Sequence, residues 1–332
     1  MKILGKYPSL RLRRNRKYDW SRRLVAENNL TVNDLILPIF VTEGKNKTES
    51  IKSMPDAYRY SVDRIGHVVS KASKLGIPLV AIFPYTPNKK KNSIGSEALN
   101  ENNLVCQAIK KIKKNNPKIG VMADVALDPY TDHGHDGILK NKEILNDETV
   151  EILSEQALLQ AEIGCDVIAP SDMMDGRVGV IRKALDKHNF KNVQILSYAA
   201  KYASNFYGPF RDAIGSKKKL KGDKKSYQMD YKNSYEALRE VALDIKEGAD
   251  FVMVKPGLPY LDIIKSIKEN FKIPVFAYQV SGEYSMIIKS VKSGTLHRDA
   301  IIESLMSIKR AGASAMITYF AMEVAKKIKN RL

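Results

Sequence analysis

Eight short apolar runs, each followed by a segment of helical period, constrain this chain more than any other feature. They are Leu35 to Val41, Leu79 to Phe83, Ile119 to Val125, Val167 to Ala169, Val193 to Tyr198, Phe251 to Val254, Val275 to Gln279 and Ala315 to Tyr319. Near-continuous Val/Ile runs of this length predict strands buried on both faces, and such strands pair in parallel. Val62 to Leu75, Leu99 to Lys114, Thr149 to Ile163 and Tyr235 to Lys246 predict amphipathic helices between them. Gly76, Gly164, Gly248 and Gly312 fall where a helix should stop before the next strand.

Strand–helix units repeated in this way predict an α/β fold, a (β/α)8 TIM barrel somewhat larger than the usual ~250 residues. A doubly wound open sheet is the alternative, but no glycine-rich dinucleotide loop follows the first strand. The barrel is expected over residues 33–332. Residues 1–32, with Arg11, Arg13, Arg14, Arg16, Arg22 and Arg23, precede the first strand and read as an N-terminal arm, either disordered or packed on a neighbouring subunit.

Barrel geometry makes the strand ends the place to look for chemistry, because active sites sit at the C-terminal face. Lys201 closes the fifth run and Lys255 the sixth. Burial pushes an ammonium towards the neutral amine, and a neutral amine is the nucleophile that forms a Schiff base with a ketone. Two such lysines suggest two carbonyl substrates, or one substrate held twice. Asp124, Asp128, Ser171, Asp172, Ser281 and Tyr319 lie at strand ends on the same face and should converge with them. A class I aldolase-type lyase also uses a barrel lysine, but it needs only one.

The 332 residues are 44% hydrophobic and 28% charged, an ordinary globular composition. Two cysteines, Cys106 and Cys165, far apart in sequence, suggest a reducing compartment. With no signal-like N-terminus and no membrane-length apolar run, a cytoplasmic protein that does not enter a membrane is expected. The net charge of +18 raises nucleic acid as a partner. Against it, the lysines sit on helix faces such as Lys110 to Lys114 and in the loop Lys217 to Lys225, without aromatic-studded strands or a helix-turn-helix, so no nucleic-acid partner is expected.

The lysine motifs Ser197-Tyr198-Ala199-Ala200-Lys201-Tyr202-Ala203-Ser204-Asn205-Phe206-Tyr207-Gly208-Pro209-Phe210-Arg211-Asp212 and Met253-Val254-Lys255-Pro256-Gly257 resemble the porphobilinogen synthase (5-aminolevulinate dehydratase) family. So do Asp124 to Gly137, Pro170 to Arg177 and Gln279 to Tyr284, and the resemblance runs over essentially the whole chain. It implies condensation of two 5-aminolevulinate molecules into porphobilinogen, with loss of two waters, in tetrapyrrole (haem) synthesis. It further implies Schiff bases on Lys255 at the P subsite and Lys201 at the A subsite, with Asp124 and Ser171 in the catalytic group. The P-subsite carboxylate falls to Ser281 and Tyr319, and the A-subsite carboxylate to Arg211, Lys224 and Gln228. The segment around 205–227 reads as a lid. The implied assembly is an octamer of arm-exchanging dimers.

Zinc-dependent members of that family carry three cysteines where this chain has Ala126, Asp128 and Asp136. Carboxylates suit hard cations and thiolates select zinc, so the chain resembles the aspartate-rich, magnesium-responsive branch and no active-site zinc is expected. Two carboxylates and an alanine make a poor cage, which leaves Asp128 and Asp136 open to a metal, water or the substrate amine. His133 and His135 read as a loop turn more than as ligands. Glu240 matches a family glutamate that holds an allosteric magnesium, and hydrated magnesium commonly uses just one or two carboxylates.

Overall fold

The computed structural model describes residues 5–215, 220 and 222–330; residues 1–4 of the expected arm and 216–219 and 221 of the expected lid lie outside the described residues. Eight parallel strands form the barrel: β1 (Leu35–Thr42), β2 (Leu79–Tyr85), β3 (Gly120–Val125), β4 (Val167–Pro170), β5 (Gln194–Lys201), β6 (Phe251–Lys255), β7 (Val275–Tyr278) and β8 (Ala315–Ile317). β8 returns to β1 through Leu35↔Met316 and Ile36↔Ile317, which closes the sheet and leaves no open sheet as an alternative. The sequence placed all of these strands, but β7 and β8 stop short of Gln279 and Tyr319. Those two residues therefore stand on the rim beyond the ladder, free of strand geometry.

The expected helices form as Val62–Lys74, Leu104–Asn115, Asn146–Glu162 and Tyr235–Glu247. The second begins later than its apolar period suggested, because Asn103 caps it by accepting from the Cys106 N–H at 2.9 Å. Gly248 ends the last of them at φ +106, a conformation that side-chain-bearing residues rarely adopt.

Two elements fall outside the simple repeat. The antiparallel pair Thr48–Ser50 and Tyr58–Ser61 extends the sheet beside the far end of β1, with Phe40↔Arg59 in register. The hairpin Ile138–Lys140 with Glu143–Leu145 stands apart. Before β1, residues Leu12–Arg16 and Asp19–Leu24 form short helical turns. Only Ser21 is buried among residues 5 to 30, while Tyr7, Leu12, Trp20 and Leu24 are 61–78% exposed. No helix among the described residues is long and apolar enough to cross a membrane.

Candidate active site

Lys201 and Lys255 are the last residues of neighbouring strands and lie in register with one another, both buried in the barrel mouth. Their surroundings differ. The Lys255 Nζ lies 5.0 Å from the ring centre of Tyr198, 5.4 Å from Tyr207, 5.1 Å from Phe210 and 4.6 Å from Tyr278. Burial, reinforced by the nearby Lys201 ammonium, pulls the Lys255 amine down to about 7. The aromatic faces offer partial compensation for the cation but no full counter-charge. Lys201 instead donates to the Ser171 carbonyl and pairs with Asp136 Oδ1 at 3.5 Å.

Around Lys201 the carboxylates are arranged with a third lysine. Lys224 Nζ sits 2.7 Å from Asp136 Oδ2 and 3.3 Å from Asp128 Oδ2. Burial alone would depress Lys224, but the two carboxylates outweigh it and raise its pKa. Burial likewise opposes ionisation of Asp136, yet Lys201 and Lys224 overcome it and hold that carboxyl well below the usual range. Asp124 is different: burial and the neighbouring Asp128 push it up to about 6, against the pull of both strand-end lysines and the Ser171 hydroxyl. It is a carboxyl able to give or take a proton near neutral pH.

The segment Phe206 to Ala213 packs over this mouth. Phe210 N–H donates to Ser281 Oγ at 2.8 Å, and the Phe210 ring packs edge-on to Phe83 at 5.4 Å. Tyr319 reaches the same wall, its hydroxyl 3.0 Å from that of Tyr278 and its ring stacked on Phe40. Two residues following β1 fasten the end of this segment from outside. Arg59 donates to the Asp212 and Ala213 carbonyls at 2.7 and 2.6 Å, and Ser53 donates to Asp212 Oδ2 at 2.5 Å.

Comparison with known proteins decides what this mouth belongs to. The family model described as delta-aminolevulinic acid dehydratase matches residues 9–327. The delta-aminolevulinic acid dehydratase of Bradyrhizobium diazoefficiens is 58% identical over 97% of this chain and 92% of its own length. The chain belongs to the delta-aminolevulinic acid dehydratase family. The family protein of Methanothermus sociabilis is 51% identical, over 97% of this chain and 100% of that one. A crystal structure of the Toxoplasma gondii delta-aminolevulinic acid dehydratase (porphobilinogen synthase), in complex with the reaction product porphobilinogen, matches with a TM-score of 0.95 at 44% identity, covering 97% of this chain and 92% of that one.

In this family member the structure brings Lys201, Lys255, Asp124, Asp128, Asp136, Ser171, Lys224, Ser281 and Tyr319 to one mouth. Arg211 is half-buried on the short helix Gly208–Ala213, within electrostatic reach of Lys224. Gln228 is buried and lines a neighbouring cavity of ≈ 510 Å³ together with Glu240. Asp172 is fully buried within electrostatic reach of Asp136, but its carboxylate is engaged behind the strand end, accepting from Met174 N–H at 2.7 Å and lying 3.8 Å from the Arg177 Nε. Arg177 in turn meets Asp244 at 3.1 Å and Ser197 at 3.1 Å, a fully buried polar hub behind β5. His133 contacts the Ser93 carbonyl and His135 the Tyr227 hydroxyl, consistent with a built loop. The sequence did not single out Tyr198, Tyr207, Phe210 and Tyr278, the aromatic box of Lys255; a tyrosine among small residues in a barrel strand was the available signal at Tyr198.

Among the described residues no three His, Cys, Asp or Glu side chains are grouped to hold a metal ion. At the Asp128–Asp136 pair the Lys224 ammonium stands where a cation would, so these residues do not fit a metal with the lysine in place. Glu240 fits better. It is half-buried on the cavity wall near Glu236 and Asp175, and burial raises its carboxyl against the pull of Arg177, so a divalent cation would relieve a real electrostatic cost.

Proposed function

We propose that this chain condenses two molecules of 5-aminolevulinate into porphobilinogen with loss of two waters, through imines on Lys255 and Lys201. The observation that carries the mechanism is the register pairing of two buried lysines, one of them with its amine depressed to about 7. Near neutral pH a substantial share of Lys255 is the neutral nucleophile. Its Nζ adds to the ketone carbon of one substrate, and the ketone oxygen leaves as water. Lys201 does the same to the second substrate, which accounts for the second water. Carbon–carbon and carbon–nitrogen bonds then join the two substrates, each displacing one lysine, and both amines are returned.

The other groups follow from placement. Ser281 and Tyr319 offer hydroxyls to the carboxylate of the substrate on Lys255. Arg211 and Lys224, with Gln228 beside them, supply charge for the carboxylate of the substrate on Lys201. Asp124, near 6, relays the protons that imine formation and carbon deprotonation require. The Tyr198 hydroxyl is buried with no hydrogen-bond partner among the described residues, a group left for substrate to satisfy. The seated lid excludes water, which protects imines from hydrolysis.

Glu240, away from this chemistry, would hold a hydrated magnesium ion in its cavity, where the ion would supply charge neutralisation and no bond-making step. The exposed arm, with Trp20 and Leu24 uncovered, packs on a second copy in an octamer. We place the reaction in the cytoplasm, where two buried thiols pushed up to about 11 and about 12 by burial stay reduced.

The test is direct. Purified protein incubated with 5-aminolevulinate forms a pyrrole, and borohydride traps substrate on Lys255 and Lys201 by peptide mass mapping. Normal turnover by both Lys255→Met and Lys201→Met would overturn the mechanism.

A further inference from the structure

Glu283 is fully buried on the first turn of the helix Ser281–Lys292, and among the described residues no cation pairs with it. A buried carboxylate without a counter-ion is costly unless hydrogen bonds replace the water it lost. Here three backbone N–H groups do so. Oε2 accepts from Val280 N–H at 2.7 Å and from Gly257 N–H at 3.2 Å, while Oε1 accepts from Leu258 N–H at 2.7 Å. The bond to Val280 is ordinary capping, a side chain at the third helical position reaching back to the residue before the helix. Capping explains neither of the other two, which cross to the segment immediately after Lys255.

The turn that Glu283 holds is also where the lid lands. Ser281, next to Val280, accepts from the Phe210 N–H at 2.8 Å. A Cβ on Gly282 would come within 2.4 Å of the Phe206 carbonyl oxygen, so only glycine lets the lid backbone approach this closely. On the other side, Tyr207 of the lid donates to the Lys255 carbonyl at 3.2 Å. One carboxylate thus ties together the backbone that carries Lys255 and the turn that presents Ser281.

We propose that Glu283 is a positioning residue that fixes Lys255 relative to Ser281, so that one substrate meets its amine and its carboxylate receptor at a set spacing. The proposal rests on the imine mechanism above and concerns the Lys255 subsite alone. A glutamine cannot replace it. Both oxygens are acceptors here, and an amide would set its NH2 against one of the backbone donors.

The experiment uses 4-oxopentanoate, which has the ketone and carboxylate of the substrate but no amine and so stops at the imine. Borohydride trapping on each lysine is followed in wild type and Glu283→Gln. Trapping on Lys255 should slow by about tenfold, with the 4-oxopentanoate concentration needed for half-maximal trapping raised; Lys201 should stay within about twofold. Glu283→Asp keeps both acceptors on a shorter arm and should recover part of the loss. Unchanged trapping on Lys255, or an equal fall on both lysines, overturns the proposal. No trapping on either lysine in wild type instead defeats the imine mechanism itself. Should neither variant fold, amide exchange of wild type decides: slow exchange at Gly257, Leu258 and Val280 upholds the clamp, and exchange as fast as that of exposed loops removes it.

Discussion

Lys201 and Lys255 are register partners because β5 carries one residue more than β6 between their last paired positions. While β6 advances from Val252 to Val254, β5 advances from Ser197 to Ala200. In an unbroken ladder Lys201 would stand beside Pro256, and strand alternation would turn the two side chains differently. The bulge re-aims the chain at the point where two amines must share one mouth.

Their proximity gives a pH prediction with a definite sign. Lys255 has a folded pKa near 7, below its unfolded value of 10.5. The neutral amine is the nucleophile, so the rate of imine formation should rise as pH increases through about 7. Stability follows the same linkage: the unfolded chain binds the extra proton between about 7 and 10.5, so wild type gains stability as pH rises across that window. Lys255→Met lacks the buried ammonium and should exceed wild type by roughly 5 kcal/mol below pH 7, with the gap closing towards pH 10. Urea unfolding of both proteins at pH 6.5 and 9.5 measures it. A gap that widens at the higher pH would reverse the assignment.

Much of this was legible in the sequence, and the exceptions have physical causes. Apolar runs of Val and Ile declare the barrel, since a strand covered on both faces admits nothing else. Lys201, Lys255 and Asp124 were visible as polar residues ending such runs. The bulge was not, because it changes no residue type and only the partner strand reveals it. The engagement of Asp172 was hidden for a related reason: its position at a strand end was visible, but not its pairing with Arg177, buried five residues further on. The latch of Ser53 and Arg59 on the helix Gly208–Ala213 was hidden because they lie about 150 residues from Asp212 and look like ordinary loop polarity.

That latch should tune substrate affinity. The Arg59 guanidinium stacks 4.3 Å over the Tyr85 ring and donates to two carbonyls at the end of the lid helix. Arg59→Ala removes both bonds without touching the lysines. Losing about 1.4 kcal/mol of lid closure raises KM about tenfold, with a smaller change in kcat. Steady-state kinetics on 5-aminolevulinate measure this; a variant that loses kcat while keeping KM would place Arg59 in the chemistry and not on the lid.

The arm prediction concerns assembly. Residues 5 to 30 contribute almost nothing to the barrel, yet expose Tyr7, Leu12, Tyr18, Trp20 and Leu24. Deleting residues 1 to 24 should leave the barrel folded by circular dichroism and shift sedimentation from a large oligomer to a smaller, less active one. An unchanged large assembly would remove the arm from the account.

Metal dependence separates the two carboxylate sites. At Asp128 and Asp136 the cation is Lys224, held by bonds of 3.3 and 2.7 Å. A zinc-specific chelator should therefore leave activity largely intact, because there is no thiolate to hold zinc and the lysine already neutralises the pair. Lys224→Met leaves buried charge unpaired and should cost roughly 3 kcal/mol of stability, which added zinc does not restore. Glu240 lies in the separate cavity lined by Glu236, Asp175 and Gln228, so its effect should be different in kind. Magnesium bound there can raise activity only as far as it favours the more active form over the less active one. Glu240→Gln should flatten the magnesium titration of initial rate while leaving borohydride trapping on Lys255 unchanged. Superimposable magnesium curves for wild type and Glu240→Gln would exclude Glu240 as the site, and full loss of activity on zinc chelation would contradict the assignment of Lys224 as the resident cation.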